Sequence, residues 1–383
     1  MATEAESGKG RLHERAIPLG TRVLVTGGAG YIGSHTAKLL AQMGCEPVVF
    51  DNLSTGHPWA VKWGPLVRGD LGNAALLRST LAQYRIQAVI HFAASAYVGE
   101  SMRKPRQYFQ NNVVNSLNLL DVLVDAGIQH IVFSSTCATY GMAATVPIPE
   151  DHPQVPVNPY GESKRFLERA LYWHGEAYGL RCVALRYFNA AGADLEGEIG
   201  EMHSPETHLI PLAMDVACGS RPSLDVYGTD YPTPDGTAIR DYIHVADLAA
   251  AHVLALKYLL DGNKSVALNL GTGKGHSVRE VVAEVERVSQ QRVQIREAAR
   301  RPGDPPALVA DPRRAGELLG WQARHSGLDT IVESAWSWHA ARGERTSAGK
   351  RLLPFNEALA DTNWQPTPAV TSGPTVPRSA KWL

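Results

Sequence analysis

Short apolar segments rich in β-branched residues alternate with longer stretches of helical periodicity along the first half of the chain. The apolar segments cover residues 23–25, 47–50, 88–91, 130–133 and 182–185. Runs this short are typical of strands buried on both faces, and the stretches between them are long enough for helical crossovers. The pattern therefore predicts an α/β fold built on a doubly wound parallel sheet.

The second half of the chain follows a different pattern. From about Asn189 the alternation gives way to loops rich in Gly and Pro, followed by a helical run at 246–260 and a strand-like run at 266–270. We interpret this half as a smaller C-terminal α/β lobe that is interleaved with the sheet. The expected organisation is a disordered arm (1–20), a sheet domain (21–188), the lobe (189–340) and a disordered tail rich in Pro, Thr and Ser (341–383).

The segment 104–127 is apolar on more than one face. Tyr108, Val113 and Leu120 are among the apolar residues spread around its helical circumference. A helix of this kind can bury one face against the sheet and present another to a partner subunit. The segment therefore predicts a contact with a second subunit.

Composition limits the partners of the protein. Its 383 residues carry 37 Lys and Arg against 38 Asp and Glu, a formal net charge of -1, so nothing attracts the whole chain to nucleic acid or an anionic membrane. The sequence shows no apolar run that could span a bilayer or act as a signal sequence, and we expect a cytoplasmic protein. Four widely spaced cysteines are expected to be reduced and mostly buried: Cys45, Cys137, Cys182 and Cys218.

One polar run, Glu201, His203, Glu206 and His208, allows two interpretations. The side chains could form a metal cluster, or they could belong to an ordinary polar loop. The run lacks the apolar helical context of a zinc motif, and this favours the polar loop. The sequence therefore predicts no metal.

A glycine-rich turn follows the first predicted strand and opens a helix. It contains Gly27, Gly30 and Gly33, with Tyr31 and Ile32 before the last glycine. Glycines are needed where such a turn is tight, where its backbone approaches a pyrophosphate and where helix meets strand. The helix N-terminus then binds the phosphates, which predicts a Rossmann-type dinucleotide site.

Polar and small residues after the next strands extend this site. Asp51 ends the second predicted strand about 20 residues on, where a carboxylate accepts hydrogen bonds from an adenosine ribose and favours NAD over NADP. Asp70 and Leu71 follow another short extended stretch and are expected to reach the adenine. The strand at 88–91 is followed by Phe92, Ala93 and Ala94, and the small side chains in this stretch let the cofactor approach.

A tyrosine and a lysine four residues apart supply the candidate chemistry. Tyr160 and Lys164 share one face of a predicted helix, and a lysine cation together with an oxidised nicotinamide would favour the tyrosine anion. Thr136 ends a strong strand, where open α/β sheets bind their ligands. The three side chains are predicted to act on one substrate alcohol, with Tyr160 as the base.

Several longer phrases carry a family resemblance. They cover residues 25–35, 134–141, 186–189 and 235–245. On these phrases the chain resembles the extended short-chain dehydrogenases/reductases, and within them the UDP-glucose 4-epimerase family, over about residues 21–339. Thr136 stands where Ser is more usual in that family, and the hydroxyl is retained.

The resemblance implies a tightly held NAD that is reduced and reoxidised in each turnover while UDP-galactose and UDP-glucose interconvert through a 4-keto sugar. It implies a homodimer that associates through the helices around Asn112 and Arg165. It adds cofactor contacts at Asn52, Asn112, Ser134 and Tyr187. It assigns the UDP-sugar, bound in the lobe, to Thr136, Asn189, His208, Leu209, Tyr227, Arg240, Arg301 and Asp304.

Two departures and three alternatives accompany the resemblance. Ala96 stands where many relatives have a lysine, and Leu308 stands where a tyrosine or cysteine borders the sugar, which questions the tolerance for N-acetylated sugars. A 4,6-dehydratase would carry an acidic pair after Thr136, where this chain has Cys137 and Ala138. A UDP-xylose/UDP-arabinose 4-epimerase, or an enzyme of dual specificity, fits the same residues. A non-catalytic NAD sensor would not need Tyr160 or Lys164.

Overall fold

The computed structural model describes residues 17–301 and 303–347. Most of the predicted arm and tail, residues 1–16 and 348–383, lies outside this part of the chain. Within it, two boundaries differ from the prediction. Ile17 is buried in the core of the sheet domain because it packs with apolar strand residues, and the last helix continues to Ser347.

Strands and helices alternate from the start of the described chain. The strands are β1 (Arg22–Thr26), β2 (Glu46–Asp51), β3 (Leu66–Arg68), β4 (Ala88–His91), β5 (His130–Thr136), β6 (Arg181–Tyr187), β7 (Asn189–Ala191), β8 (Leu224–Tyr227), β9 (Ile239–Arg240), β10 (Tyr242–His244), β11 (Val266–Leu270), β12 (His276–Ser277), β13 (Ile295–Ala298) and β14 (Ala307–Leu308). The helices are α1 (Tyr31–Gln42), α2 (Ala74–Gln83), α3 (Val98–Arg103), α4 (Pro105–Tyr108), α5 (Asn115–Asp125), α6 (Pro159–Tyr178), α7 (Leu209–Ala217), α8 (Val245–Leu260), α9 (Val278–Ser289), α10 (Arg313–Leu319) and α11 (Leu328–Ser347).

A seven-stranded parallel sheet forms the centre of the protein, with strand order β11-β6-β5-β4-β1-β2-β3. The order runs outward in both directions from β1 and β4, so the fold is the predicted doubly wound Rossmann arrangement. The run at 266–270, assigned to the lobe from the sequence, is instead the edge strand β11, paired with β6. The chain thus returns to the sheet after building part of the lobe.

Alternating residues of each central strand face two hydrophobic cores. Val23 and Val25 pack with Leu256 of α8, whereas Leu24 between them packs with Leu77 of α2 and Leu120 of α5. Because successive strand side chains point to opposite faces, these cores lie on the two sides of the sheet. Each fully buried side chain of this size contributes about 1.5–3 kcal/mol. The burial holds the carboxyl ends of the strands in a fixed line.

The smaller lobe has a hydrophobic core of its own. Ala213 of α7, Val281 and Val285 of α9 and Ile331 of α11 are buried together. Around them lie three short sheets: β7 with β10, β8 with β13, and β9 between β12 and β14. The described residues up to Ala340 form one compact unit.

The segment 104–127 consists of α4, a π-helical stretch (Phe109–Val114) and α5. Leu120 and Leu123 are buried against the sheet, as predicted, whereas Phe109 and Val114 are exposed. None of the helices in the described chain is long and apolar enough to cross a membrane. All four cysteines are free, and Cys218 alone among them is exposed.

Candidate active site

The glycine turn between β1 and α1 is shaped by close backbone approach. Gly27 has a φ of +71°, and a Cβ there would lie 2.6 Å from the backbone nitrogen of Ala93. A Cβ on Gly33 would lie 2.4 Å from the Gly27 carbonyl oxygen. Gly30 is the N-cap of α1 and has no side chain to cap it, so the N–H groups of the first turn are left for an anion. The turn fits a dinucleotide pyrophosphate.

Asp51 closes the far side of this turn. Its buried carboxylate accepts hydrogen bonds from the backbone N–H groups of Ala29 (3.0 Å) and Leu53 (2.8 Å). Burial raises the pKa of Asp51, and these two hydrogen bonds oppose the shift. The residue therefore fixes the end of β2 against the glycine turn.

A hydrogen-bonded group next to Asp51 joins the residues predicted for the adenine. Asn52 donates to Asp70 Oδ2 (2.8 Å), and Asn115 donates to Asp70 Oδ1 (3.0 Å). Leu71 is buried, and its carbonyl oxygen accepts from the Asn118 amide. The structure thus brings Asn52, Asp70 and Leu71 to the sheet edge at which Asp51 stands.

The loop after β4 lies against the glycine turn. The N–H groups of Phe92 and Ala93 both donate to the Thr26 carbonyl oxygen, at 2.9 and 3.1 Å, and Ala94 follows them. Asn112 is fully buried and holds the next part of this loop. Its amide accepts from the Ser95 N–H (2.7 Å) and donates to the Ser95 carbonyl (2.9 Å) and the Ser163 hydroxyl (3.0 Å). The Asn112 side chain therefore links the β4 loop to α6.

Helix α6 begins just before the candidate base. Asn158 is its N-cap and accepts from the Gly161 N–H (2.8 Å), Pro159 occupies the first helical position, and Gly179 ends the helix with a φ of 75°. The start of the helix is thereby fixed by local sequence. Tyr160 and Lys164 are buried on one face of α6, one turn apart.

The predicted catalytic residues converge at the end of β5. Lys164 Nζ donates to the Ser134 carbonyl oxygen (2.7 Å) and lies 6.0 Å from the centre of the Tyr160 ring. Thr136 and Tyr160 are close enough that the Thr136 side chain influences the pKa of the phenol. The Ser134 hydroxyl bonds to the Tyr187 hydroxyl at the end of β6. All five residues are buried and lie on the same edge as the glycine turn.

Burial dominates the electrostatics of this group. It raises the pKa of Tyr160 well above its usual range; Tyr187 adds to the rise, and the Thr136 side chain opposes it. Burial also lowers the pKa of Lys164 to about 7, against the opposing influence of Glu168. Desolvation penalises the charged form of both groups. A tyrosine anion at this position therefore needs positive charge close to the phenol.

A buried ion pair that the sequence did not reveal fixes the orientation of α6. Glu168, one turn beyond Lys164, accepts from Arg186 of β6 at 2.6 Å and from the Ser135 hydroxyl at 2.5 Å. Arg186 also donates to the Tyr140 hydroxyl at 2.9 Å. The pair ties α6 to two strands of the sheet, so Tyr160 and Lys164 cannot rotate away from β5.

The residues predicted to hold the diphosphate and uridine form contacting pairs in the lobe. The Arg301 guanidinium lies 3.9 Å from the centre of the Tyr227 ring, and Arg240 forms an ion pair with Asp304. Asn189 begins β7, and its N–H donates to the carbonyl oxygen of Asp241, the residue that follows Arg240 at the end of β9. The structure brings these residues to one side of the lobe.

Asp241 was not singled out from the sequence, although it lies inside a matching phrase. It is fully buried, and its carboxylate accepts from Thr272 (2.9 Å), Gly273 (3.1 Å) and Ala310 (3.1 Å). Leu308 pairs with Arg240 across β14 and β9. Asp241 therefore joins the end of β11 to the strands that carry the candidate substrate residues.

His208 is the N-cap of α7, and Leu209 is the first residue of this helix. The structure also brings His208 together with Glu201, His203 and Glu206, each offering one ligand atom within 4.8 Å of the others. The sequence had favoured an ordinary polar loop here. The loop folds back on itself, so four residues spaced over eight positions converge.

A buried Tyr–Lys pair on the sheet edge of a dinucleotide-binding turn is the arrangement of the short-chain dehydrogenases/reductases, and the chain falls in this class. The model of the NAD dependent epimerase/dehydratase family matches residues 23–271. The UDP-glucose 4-epimerase of Rhizobium meliloti (strain 1021) is 53% identical over 322 residues, which cover 84% of this chain and 98% of that protein. The chain belongs to this family, and within it to the UDP-glucose 4-epimerases.

Solved structures agree with this assignment. The UDP-glucose 4-epimerase from Brucella ovis in complex with NAD has a TM-score of 0.81 and 56% identity, and covers 82% of this chain and 97% of its own. The UDP-glucose-4-epimerase from Stenotrophomonas maltophila, with bound NAD and formylated UDP-arabinopyranose, has a TM-score of 0.82 and 40% identity, and covers 85% of this chain and 99% of its own.

Proposed function

We propose that this chain interconverts UDP-galactose and UDP-glucose by inverting C4 of the sugar with a tightly held NAD. The observation that carries the proposal is the convergence of Tyr160, Lys164 and Thr136 at the end of β5, on the sheet edge that the glycine turn occupies. The family relationship supports the same activity. A substrate alcohol beside Tyr160 would lie within reach of both the base and the cofactor site.

The residues around the glycine turn fit NAD. Gly30 leaves the N-terminus of α1 open to a pyrophosphate, and Asp51 and Asp70 place carboxylates where ribose hydroxyls and the adenine would be held. Two carboxylates at this position oppose the extra phosphate of NADP. NAD, when bound, supplies the acceptor and donor of the hydride at C4.

Tyr160 acts as the proton acceptor for the sugar 4-hydroxyl. Thr136 is a neighbour of the phenol, and its hydroxyl would hold the same substrate oxygen. Because burial raises the pKa of Tyr160, the phenol needs positive charge nearby to ionise; the Lys164 ammonium and an oxidised nicotinamide ring both act in that direction. Lys164 is held toward the pair by the Ser134 carbonyl oxygen.

Anchorage of the UDP is assigned to the lobe. Arg240 and Arg301 present planar guanidinium groups suited to phosphate oxygens. Tyr227 supplies a flat surface for the uracil, Asp304 a carboxylate for the uridine ribose, and Asn189 a further polar contact. Inversion requires that UDP be bound firmly and the sugar loosely. The 4-keto sugar must rotate after C4 has lost its hydride, so that the hydride returns to the opposite face.

The identity of the sugar is tested by comparing substrates. Purified protein is incubated, without added NAD, with UDP-galactose, UDP-xylose and UDP-N-acetylgalactosamine, and the products are separated by chromatography. We expect UDP-glucose from UDP-galactose, and weak or no turnover of the N-acetylated sugar because Leu308 borders the site. Conversion of the pentose in addition would indicate dual specificity, which the UDP-arabinopyranose derivative in the Stenotrophomonas structure makes a specific alternative.

Conversion of the pentose alone would replace the proposed substrate by UDP-xylose and UDP-arabinose. Absence of turnover on every UDP-sugar, in protein that retains NAD, would favour the sensor alternative and contradict the proposal.

We also propose a homodimer formed through α6 and the segment 109–114. These elements pack on each other and expose large apolar side chains at their outer surface: Phe109, Val114, Phe166 and Trp173. Apolar residues gathered on one surface favour a protein contact. Light scattering should give twice the chain mass for the wild type and the chain mass for Phe166→Glu. Leu195→Glu, which changes an equally exposed residue elsewhere, is the matched control.

A cytoplasmic location is part of the proposal. Four free cysteines, three of them buried, are typical of a reducing compartment. Fractionation of the native cells should recover the protein with cytoplasmic markers, and recovery with envelope markers would contradict this assignment.

A further inference from the structure

Four side chains of one loop place their ligand atoms around a single point. Glu201 Oε1 lies 3.1 Å from His203 Nδ1 and also contacts His208 Nδ1, and His203 Nδ1 lies 3.7 Å from Glu206 Oε2. A tetrahedral zinc ion with bonds of about 2.1 Å holds its ligand atoms about 3.4 Å apart. The separations of 3.1 and 3.7 Å suit one such ion, and His208, which is hydrogen-bonded to Glu201 in this structure, would move slightly apart from it to become the fourth ligand.

The backbone of the loop is held in place from outside. Trp338 of α11 donates through Nε1 to the Glu201 carbonyl oxygen (3.0 Å), and His57 Nε2 bonds to the Met202 carbonyl oxygen (2.9 Å). The rings of Tyr31 and Tyr97 meet the His203 ring at right angles, with centroids 6.4 and 5.9 Å away. The four side chains therefore extend from a fixed frame.

One atom of the cluster has no partner of the usual kind. His203 Nδ1 is buried and makes no hydrogen bond of acceptable geometry to any residue in the described chain, although Glu201 Oε1 is within 3.1 Å. A buried imidazole nitrogen without a hydrogen bond is costly unless something else satisfies it. His203 Nδ1 and Glu201 Oε1 are thus close together without a hydrogen bond of good geometry between them. Two ligands of the same metal ion lie in this way.

The charges of the cluster also suit a divalent cation. A metal ion is bound by neutral imidazoles, so the two carboxylates would give the ligand set a double negative charge. Without an ion, Glu201 pairs with His203 and His208, and Glu206 with His203, within the described residues, so a divalent cation would take the place of the imidazole protons. A second acidic group nearby, Asp194, Glu196 and Glu198, already surrounds a cation, because Lys38 Nζ lies 2.6–2.9 Å from the three carboxylates.

We propose that Glu201, His203, Glu206 and His208 bind one zinc ion that serves a structural role. Two imidazoles and two carboxylates complete a four-coordinate site, which is the closed form of structural zinc. Magnesium and calcium prefer six or more oxygen ligands and do not suit two imidazoles. Because His208 directly precedes α7, the ion would fix the N-terminus of that helix and the position of Leu209.

The proposal is tested by metal analysis of tag-free, NAD-loaded enzyme. The protein is dialysed against a chelator and then titrated with Zn²⁺ by calorimetry, and metal per chain is measured by mass spectrometry. We expect one zinc per chain in the wild type, with no competition from excess Mg²⁺. Changes to outer partners of metal sites lower affinity by about 10–100-fold, so Glu201→Gln and His203→Gln, which remove ligands, should lower it by at least about 100-fold.

His174→Gln is the matched control. His174 is similarly half-buried and lies 3.8 Å from Asp121, but it is on α6, outside the cluster. This variant should bind zinc as the wild type does. If His203→Gln does not fold, as judged by circular dichroism, the more exposed His208 provides the second variant, His208→Gln. Less than one zinc per chain at micromolar metal, or equal binding by every variant, would overturn the proposal.

Discussion

At the scale of single residues, the site shows a conflict between burial and ionisation. Tyr160 and Lys164 are both buried, and burial shifts the pKa of each in the direction that favours the neutral side chain: upward for Tyr160 and downward for Lys164. The reaction requires the opposite for the phenol. An oxidised nicotinamide held beside Tyr160 would supply positive charge, and this would favour the phenolate of the Tyr160 side chain.

Tyr160→Phe should remove most of the turnover and leave binding intact. The substitution deletes only the hydroxyl, and a positioned acid–base group contributes about 10²–10⁴-fold to rate. The measurement is kcat with UDP-galactose, together with NAD content by absorbance and UDP affinity by calorimetry. A variant that keeps full activity would show that another group accepts the proton.

Gly27→Ala should cost both stability and cofactor. The methyl group would lie 2.6 Å from the Ala93 nitrogen, in addition to the cost of about 1–2 kcal/mol for a left-handed backbone. Gly127→Ala is the control, because Gly127 has a φ of +69° with no atom within 4 Å of the added methyl. Thermal unfolding should place the Gly27 variant clearly below the Gly127 variant. Equal melting temperatures would mean that the close approach carries no cost.

The sequence predicted the residues whose roles depend on local spacing. Tyr160 and Lys164 share a helix face because they are four apart, and Gly27 to Gly33 form a turn because they are contiguous. Glu168 and Asp241 were missed for a physical reason. Their partners, such as Arg186 for Glu168, lie on other elements, and a single sequence does not show which strands become neighbours.

At the scale of elements, the placement of α6 depends on one ion pair. Glu168 and Arg186 are both buried, and removing one partner leaves the other charge uncompensated in the interior. The two charged side chains stay paired because each also bonds to neighbours on β5 and in the loop after it. The pair serves as the reference point from which the catalytic face of α6 is aligned.

Glu168→Gln should destabilise the protein by about 3–5 kcal/mol, the usual cost of breaking a buried pair. Glu162→Gln on the same helix is the control, since its partner Arg165 is 3.6 Å away and half-exposed, and such pairs contribute about 0–1 kcal/mol. Denaturant unfolding of both variants measures the difference. Similar midpoints would show that Arg186 finds another partner.

Element types were better predicted than element membership. The strands at 23–25, 47–50, 88–91, 130–133 and 182–185 all occur in the sheet, and the helix at 246–260 is α8. The run at 266–270 was correctly read as extended, yet its pairing with β6 was missed. The hydrophobic pattern indicates that a strand is buried. It does not indicate which strand lies beside it, because that depends on the course of the chain in three dimensions.

At the scale of the whole molecule, four buried histidines set the response to acid. Burial is the main cause that lowers the pKa of each, to about 3 for His91 and His244 and to about 4 for His35 and His252. Below pH 6.5 the unfolded chain binds protons at these positions and the folded chain does not. Stability is therefore present above pH 6.5 and is lost as pH falls toward 4.

We expect each of these histidines to lower the free energy of unfolding by about 1.4 kcal/mol for each pH unit between pH 6.5 and the pKa of the folded chain. The denaturant midpoint of the wild type should be much lower at pH 5.5 than at pH 7.0. For His252→Gln the drop should be smaller by the contribution of one histidine. A midpoint independent of pH would mean that the four imidazoles are protonated in the folded chain.

The return of β11 to the central sheet makes cofactor binding and substrate binding inseparable parts of one chain. A fragment ending at residue 188 would leave the edge of β6 unpaired, and an open, apolar strand edge invites aggregation. The lobe could not be transplanted to another sheet without bringing that strand with it. Sugar specificity in this protein can therefore evolve by substitutions within the lobe, but not by exchange of the whole lobe for another.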